Sequence, residues 1–347
     1  MAYRSRTVQR PVYSFAAGAV STDSGSRQFI RLLAIASIFY IDVLITGTLG
    51  VTVAGTGTQN RGSIMAAFDE IGVVENGRDR VVLDGRLARY LSEVAAPSAL
   101  TAVRAAAAGV QTTVLKEYVR IYFAHPFAVN PRETAFLARD PRADLQLFFK
   151  LNGTNNGVSN IIAGGTKTLS GVTVTAVQHV DEHETARPLF IPSIRQVTQV
   201  ISGTGVVDMY LRPNHYLRAL ALQQDTNVGE VADIVSSLAL RGDTREIVGP
   251  EMVTTDLLQR AMEYEHGGTV LTAPGYWYKN FQEGGRLANI LNPRQDTNLR
   301  LSLTATPSVA AGATSSVVRV ALLELERDPQ ATDLNGRPLV DPIDFPV

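Results

Sequence analysis

The chain has 347 residues, enough at about 150 residues per domain for two domains or one large β-rich unit. Hydrophobic residues make up 45% and charged residues 19%, below the roughly 25% usual for a soluble chain, which argues against disorder and for surface hidden in contacts with partners. A net charge of −1 and the absence of cysteine exclude a globally basic nucleic-acid binder, disulfides, thiolate catalysis and cysteine-ligated metal.

Residues 1–25 are polar, carry Arg4, Arg6 and Arg10, and lack the apolar core of a secretory signal, so they read as a basic arm of a chain that is soluble and intracellular when made. The most apolar run, Phe29 to Ile45, is interrupted by Arg31 and Asp42. That leaves ten uncharged residues, Leu32 to Ile41, where a membrane helix needs roughly 20; two strands are expected instead. A strand at Gly50 to Ala54 follows. Leu87, Tyr90, Leu91 and Val94 then share one helical face that Pro97 ends, and the Ala-rich Leu100 to Ala108 reads as a further short helix. Strands are expected at Val114 to Phe123, at Leu145 to Leu151 in strict alternation, and at Val172 to Val177, Ile194 to Ile201, Val206 to Leu211 and Tyr216 to Leu222. Leu257, Leu258, Ala261 and Met262 predict a helix after Pro250, before an alternating strand at Leu299 to Ala305 and another at Val317 to Leu325. Glycine-rich turns such as Asn76-Gly77 and Gly164-Gly165 punctuate this all-β pattern.

Internal repetition is more telling than any motif. Asn76-Gly-Arg-Asp-Arg-Val-Val-Leu83 aligns with Arg241-Gly-Asp-Thr-Arg-Glu-Ile-Val248, each leading into one of the two matched helices. Pro141-Arg-Ala-Asp144 aligns with Pro293-Arg-Gln-Asp296, each followed by an alternating strand. Two colinear matches describe one β-unit occurring twice, over residues 26–185 and 186–328. The polar stretch His179 to Glu184 lies at the junction, and residues 329–347 form an acidic arm with Pro329, Pro338, Pro342 and Pro346.

With Gly77 to Leu91, Tyr118 to Phe127, Asp140 to Leu147, Tyr276 to Leu287 and Asn292 to Leu303, the chain resembles the double jelly-roll major capsid proteins of icosahedral viruses. It is most similar to those of tailless, membrane-containing bacteriophages of the tectivirus and corticovirus type, in the lineage of the adenovirus hexon. The resemblance covers most of residues 26–328. It implies an all-β fold of two tandem eight-stranded jelly rolls with a few short helices in connecting loops. It also implies a homotrimer that forms a pseudo-hexameric capsomer and tiles a virion shell after assembly in the host cytoplasm. The implied partners are neighbouring capsomers, penton or minor capsid proteins and an internal lipid membrane met by the N-terminal arm, with no specific nucleic acid, no cofactor and no reaction catalysed. Arg4, Arg6 and Arg10 are then the residues expected to meet anionic headgroups or the particle interior, each worth about 1 kcal/mol near such a surface. Arginine supplies 28 of the 32 basic residues, which suits subunit contacts.

Two other function classes stay open on the residues alone. Tyr276-Trp277-Tyr278 with Phe281 is the densest aromatic group, available to a carbohydrate- or receptor-binding sandwich such as a spike, although core or interface packing explains it better. His179-x-Asp181 with His215 or His266 has the composition of a two-histidine, one-carboxylate iron site, against the simpler reading of a solvated junction; no metal is assigned. Arg241-Gly242-Asp243 and Asn152-Gly153-Thr154 read as turns. Gly164 to Thr168 lacks the ending of a phosphate loop, and Gly55-x-Gly57 lacks the third glycine of a dinucleotide site.

Overall fold

Alternation of buried and less buried side chains runs through residues 40–51, 115–122 and 171–180 of the computed structural model. The structure describes residues 6–8, 25–34, 36–53, 59–60, 63–95, 110–124, 135–138, 144–153, 157–181, 190–211, 215–226, 234–243, 246–252, 275–282, 290–292, 296, 298–307 and 315–328. The described residues up to 181 form one compact unit and those from 190 onward another.

The first unit contains β1 (Arg6–Val8), β2 (Gln28–Arg31), β3 (Ala36–Val53), β4 (Gln59–Asn60), a 3-10 turn (Ile64–Ala67), β5 (Phe68–Glu75), β6 (Arg78–Leu83) and α1 (Gly85–Ala95). It continues with β7 (Gln111–Tyr122), β8 (Phe136–Ala138), β9 (Leu145–Leu151), α2 (Val158–Ile161), β10 (Ile162–Ala163) and β11 (Thr166–Asp181). One sheet runs β1-β11-β3-β7, with β8 also on β3; the other runs β6-β5-β9-β2, and β10 pairs β4. The second unit contains β12 (Phe190–Ile201), β13 (Gly205–Tyr210), β14 (Tyr216–Thr226), β15 (Val235–Arg241), β16 (Glu246–Met252), β17 (Tyr276–Asn280), β18 (Arg300–Ala305) and β19 (Ser316–Arg327). Its sheets run β17-β14-β19-β12 and β13-β18-β15-β16.

Setting aside the short β4, β8 and β10, each unit has eight strands among the described residues. Numbered one to eight within a unit, both give the same two sheets, 1-8-3-6 and 2-7-4-5. This is jelly-roll connectivity, two Greek keys closed on one core, and it occurs twice. The first strand of the first copy is β1, so residues 1–25, expected as an arm, contribute a strand: Arg6 pairs Val180 and Val8 pairs Gln178 on the edge of β11.

The predicted alternations place the cores. Leu299, Leu301, Leu303 and Ala305 all point into the second core, beside Leu220, Leu222, Leu238, Leu240, Trp277, Val318, Val320 and Leu322. In β9, Leu145, Leu147, Phe149 and Leu151 are buried as the pattern requires, but Phe148, of outward parity, is buried too. Its ring is capped by the Arg27 guanidinium 4.1 Å above it and by Phe29 at 6.4 Å, and it lies against Gly72, where a Cβ would sit 2.8 Å from the ring. The strand expected at Gly50 to Ala54 is the end of β3, which continues unbroken because β11 and β7 pair it there, Gly50 facing both Thr168 and Thr112.

Helix α1 matches its predicted face: Leu87, Tyr90, Leu91 and Val94 are buried. Asp84 caps it, accepting from the Arg86 N–H at 2.9 Å, while Ser92 Oγ accepts from the Arg120 N–H on the free edge of β7 at 2.9 Å. The helices expected at Leu257 to Met262 and Leu100 to Ala108, and the arm 329–347, lie outside the described residues.

Candidate functional site

The two sequence matches meet in space. In the first unit the β5–β6 hairpin turns through Asn76 at φ 50° and Gly77 at φ 77°, a two-residue turn needing left-handed backbone at both positions. Asn76 Oδ1 accepts from the Asp144 N–H and the Asn76 N–H donates to the Asp144 carbonyl, each at 2.8 Å. In the second unit the aligned segments meet again, by other means. Arg241 pairs with Glu246, so the turn is longer, and Gly242 keeps ordinary φ. Its glycine answers a close approach instead, since a Cβ there would lie 1.9 Å from Asp296 Oδ1. The Arg-Gly-Asp sequence sits in this turn, where Asp243 Oδ1 accepts from Asn298 Nδ2 at 2.6 Å.

Each unit also clamps one carboxylate between an arginine and a histidine. On the outer face of β11-β3-β7, Asp42 holds Arg120 through both carboxylate oxygens and lies 2.8 Å from His179 Nε2. Tyr40 stacks on His179 at 4.1 Å and lies 4.2 Å beneath the Arg120 guanidinium, whose Nη1 donates to Tyr122 Oη at 3.4 Å. Burial pulls Arg120 down, but its hydrogen bonds to Asp42 and Tyr122 outweigh this and hold it above its ordinary value. Burial raises the Tyr122 phenol against that same arginine. In the second unit the buried Glu324 of β19 takes Arg195 Nη2 at 3.2 Å and His215 Nδ1 at 3.3 Å. Burial pushes its carboxyl up, yet the His215 hydrogen bond and the Arg195 charge prevail and hold it below the usual carboxylate range.

These are cross-strand braces that fasten the sheets, with both carboxylates committed to the arginine and histidine beside them.

No protein-family model matches the sequence, and no curated protein matches it. Solved structures do. The STIV MCP is 11% identical with a TM-score of 0.63, over 94% of this chain and 96% of that one. The major capsid protein P2 from bacteriophage PM2 is 12% identical with a TM-score of 0.57, over 93% and 98%. The Faustovirus major capsid protein is 8% identical with a TM-score of 0.55, over 93% and 90%. The chain has the double jelly-roll fold of viral major capsid proteins. At such identities the shared property is the fold, carried end to end in one chain.

On the double jelly roll the sequence-predicted sites fall as follows. Arg6 lies in β1; Arg4 and Arg10 lie outside the described residues. His179 and Asp181 are both in β11, but His179 is committed to Asp42, while His215 braces Glu324 in the other unit. His266, like Gly55 and Gly57, lies outside the described residues. Trp277 and Tyr278 are buried in the second unit, Trp277 within its core. Gly164 and Gly165, both at φ 71°, form the turn between β10 and β11, with Lys167 Nζ donating to the Gly164 carbonyl at 3.1 Å. Asn152 donates to Asp69 Oδ1 at 3.0 Å.

Sequence reasoning missed Asp42 and Arg120 as partners, although Asp42 was the one acid in the most apolar run, at outward parity. It also missed Arg218, buried at the bulge between Leu217 and Ala219 of β14, where burial pushes its guanidinium down to about 10.

Proposed function

We propose that this chain is a major capsid protein that builds a virion shell and catalyses no reaction. The observation that carries the reading is the repetition of one eight-strand connectivity in two units of a single chain, 1-8-3-6 with 2-7-4-5 in each. Three copies of such a chain supply six similar units, so a homotrimer meets six neighbours without six-fold symmetry. A fold of the same extent in proteins named as major capsid proteins supports this reading, as do the low charge content and the excess of arginine over lysine.

In this reading the capsomers meet one another and penton or minor capsid proteins within the shell, after assembly in the host cytoplasm. Each lateral contact is modest, and closure of many contacts stabilises the particle. The basic N-terminal segment, with Arg4, Arg6 and Arg10, faces the interior, where an anionic bilayer surface is its natural counterpart.

Native mass spectrometry of the purified chain tests the assembly state. Three-fold mass, with six lobes per particle by negative-stain imaging, is the expected result. A monomer at every concentration tried, or a two-fold assembly, would remove the capsomer reading.

A further inference from the structure

We propose that the outer face of the second unit's β13-β18-β15 sheet binds the acidic, proline-rich tail, residues 329–347, of a second copy of this chain. The inference goes beyond shell building and assigns a particular strap between copies.

The register sets Tyr210, Arg300 and Arg241 side by side on three adjacent strands, all on the face away from the core row Met209, Leu301 and Leu240. Like charges directly opposite one another in a sheet are destabilising, so Arg241 beside Arg300 calls for a counter-charge. The described residues supply little of it. Arg300 Nε is 3.8 Å from Asp208 Oδ2 and makes no hydrogen bond among the described residues, while Asp208 Oδ1 already accepts from Ser302 Oγ at 2.5 Å. Glu246 stands opposite Arg241 in register, but the Arg241 side chain makes no ion pair or hydrogen bond among the described residues.

Beside the two guanidinium groups lies open apolar surface: Tyr210 is 66% exposed and Val206, on the same face, 62%. Strand β13 is also a sheet edge, paired by β18 on one side and by no described strand on the other. Exposed apolar side chains on a free edge, with cations next to them, suit an extended acidic segment.

The tail has that chemistry. It carries Asp333, Asp341 and Asp344 against one Arg337, with Leu339, Val340, Ile343 and Phe345 among them and prolines at 329, 338, 342 and 346. Proline favours an extended conformation of about 3.1 Å per residue, giving a reach of roughly 55–60 Å. The tail also starts in the right place. Leu325, near the end of β19, pairs Tyr216 at the start of β14, and Tyr216 follows Tyr210 after a short connection. The row and the root of the tail are therefore at the same end of the unit. The covering tail is that of a neighbouring copy, which differently tagged molecules distinguish from the chain's own. Its aspartates meet Arg241 and Arg300 in charge-assisted hydrogen bonds, and its prolines and apolar side chains cover Tyr210 and Val206.

The absence of cysteine makes the test clean. Full-length Tyr210→Cys is mixed with full-length, differently tagged Asp341→Cys under mild oxidation, and disulfides between the two tags are followed on non-reducing gels. The expected result is a cross-link between copies that slows about tenfold or more when Arg241→Glu and Arg300→Glu are added, and likewise at 1 M salt, where the Debye length falls to roughly 3 Å. Asp333→Asn with Asp344→Asn, added to the Asp341→Cys copy, slows it too while leaving the sheet untouched, so misfolding of the arginine variants is not the cause. No disulfide between the two tags, or cross-linking at an unchanged rate in these variants, overturns the proposal. The trimer mass is read separately: trimers without the cross-link sink the strap alone, and the cross-link without trimers sinks the capsomer alone.

Discussion

The two aligned glycines, Gly77 and Gly242, should fail for opposite reasons when substituted. Gly77 has φ 77° and open space around it, with no atom within 4 Å of where a Cβ would stand. Alanine there costs only the left-handed backbone penalty of about 1–2 kcal/mol, whereas asparagine, which tolerates that conformation, costs much less. Gly242 has ordinary backbone, but its Cβ would meet Asp296 Oδ1 at 1.9 Å and Cγ at 2.5 Å. Alanine there forces a buried carboxylate aside, an overpacking cost of about 1–3 kcal/mol. At roughly 2–4 °C per kcal/mol for a unit of this size, the thermal midpoint followed by circular dichroism should fall by about 2–8 °C for Gly77→Ala and by about 2–12 °C for Gly242→Ala. The diagnostic is rescue. Gly77→Asn should recover most of the first loss. Gly242→Asn should recover none of the second, and Asp296→Ala should make Gly242→Ala nearly neutral in a double-mutant cycle. If Asn rescues position 242, or the cycle shows no coupling with Asp296, the account of the second turn is wrong.

Three further outcomes follow from the same geometry. Phe148→Ala, emptying a fully buried site between Arg27, Phe29 and Gly72, should destabilise the chain by about 3–5 kcal/mol in a urea titration, although strand parity alone marks the position as surface. Glu324 is held below its ordinary value in the folded state, so its contribution is present above the unfolded carboxylate range near pH 4.3 and is lost as pH falls through the lower folded value. Glu324→Gln should therefore flatten the acid limb of stability against pH, an effect that a set of unfolding curves from about pH 7 to about pH 3 would detect. Asp42→Ala removes the shared acceptor of Arg120 and His179 and should cost about 1–3 kcal/mol, with Arg120→Ala in the same background adding little; full additivity of the two losses would refute the brace.

Much of the architecture was legible because a strand's period of two is a local property. Leu299 to Ala305 and the inward residues of β9 could be placed by counting, and the face of α1 by its 3.6-residue spacing. The repeat was legible because both copies keep a turn glycine and, later, an aspartate. That the two segments meet in each unit was not legible, and neither was the different job each glycine does. The braces were hidden for a similar reason. Asp42, Arg120 and His179 are far apart in sequence and become neighbours only through the pairing of β11, β3 and β7.

Composition and periodicity thus determined an all-β chain with a doubled unit and few charges, since each of these is written in residues close together along the chain. Tertiary structure alone decided which strand borders which, that Arg6–Val8 completes the first sheet, that Phe148 is covered, and that Arg241 and Arg300 stand side by side next to Tyr210. Those facts depend on register between distant segments, which is set by cooperative packing of a whole core and has no signature in any short window of sequence.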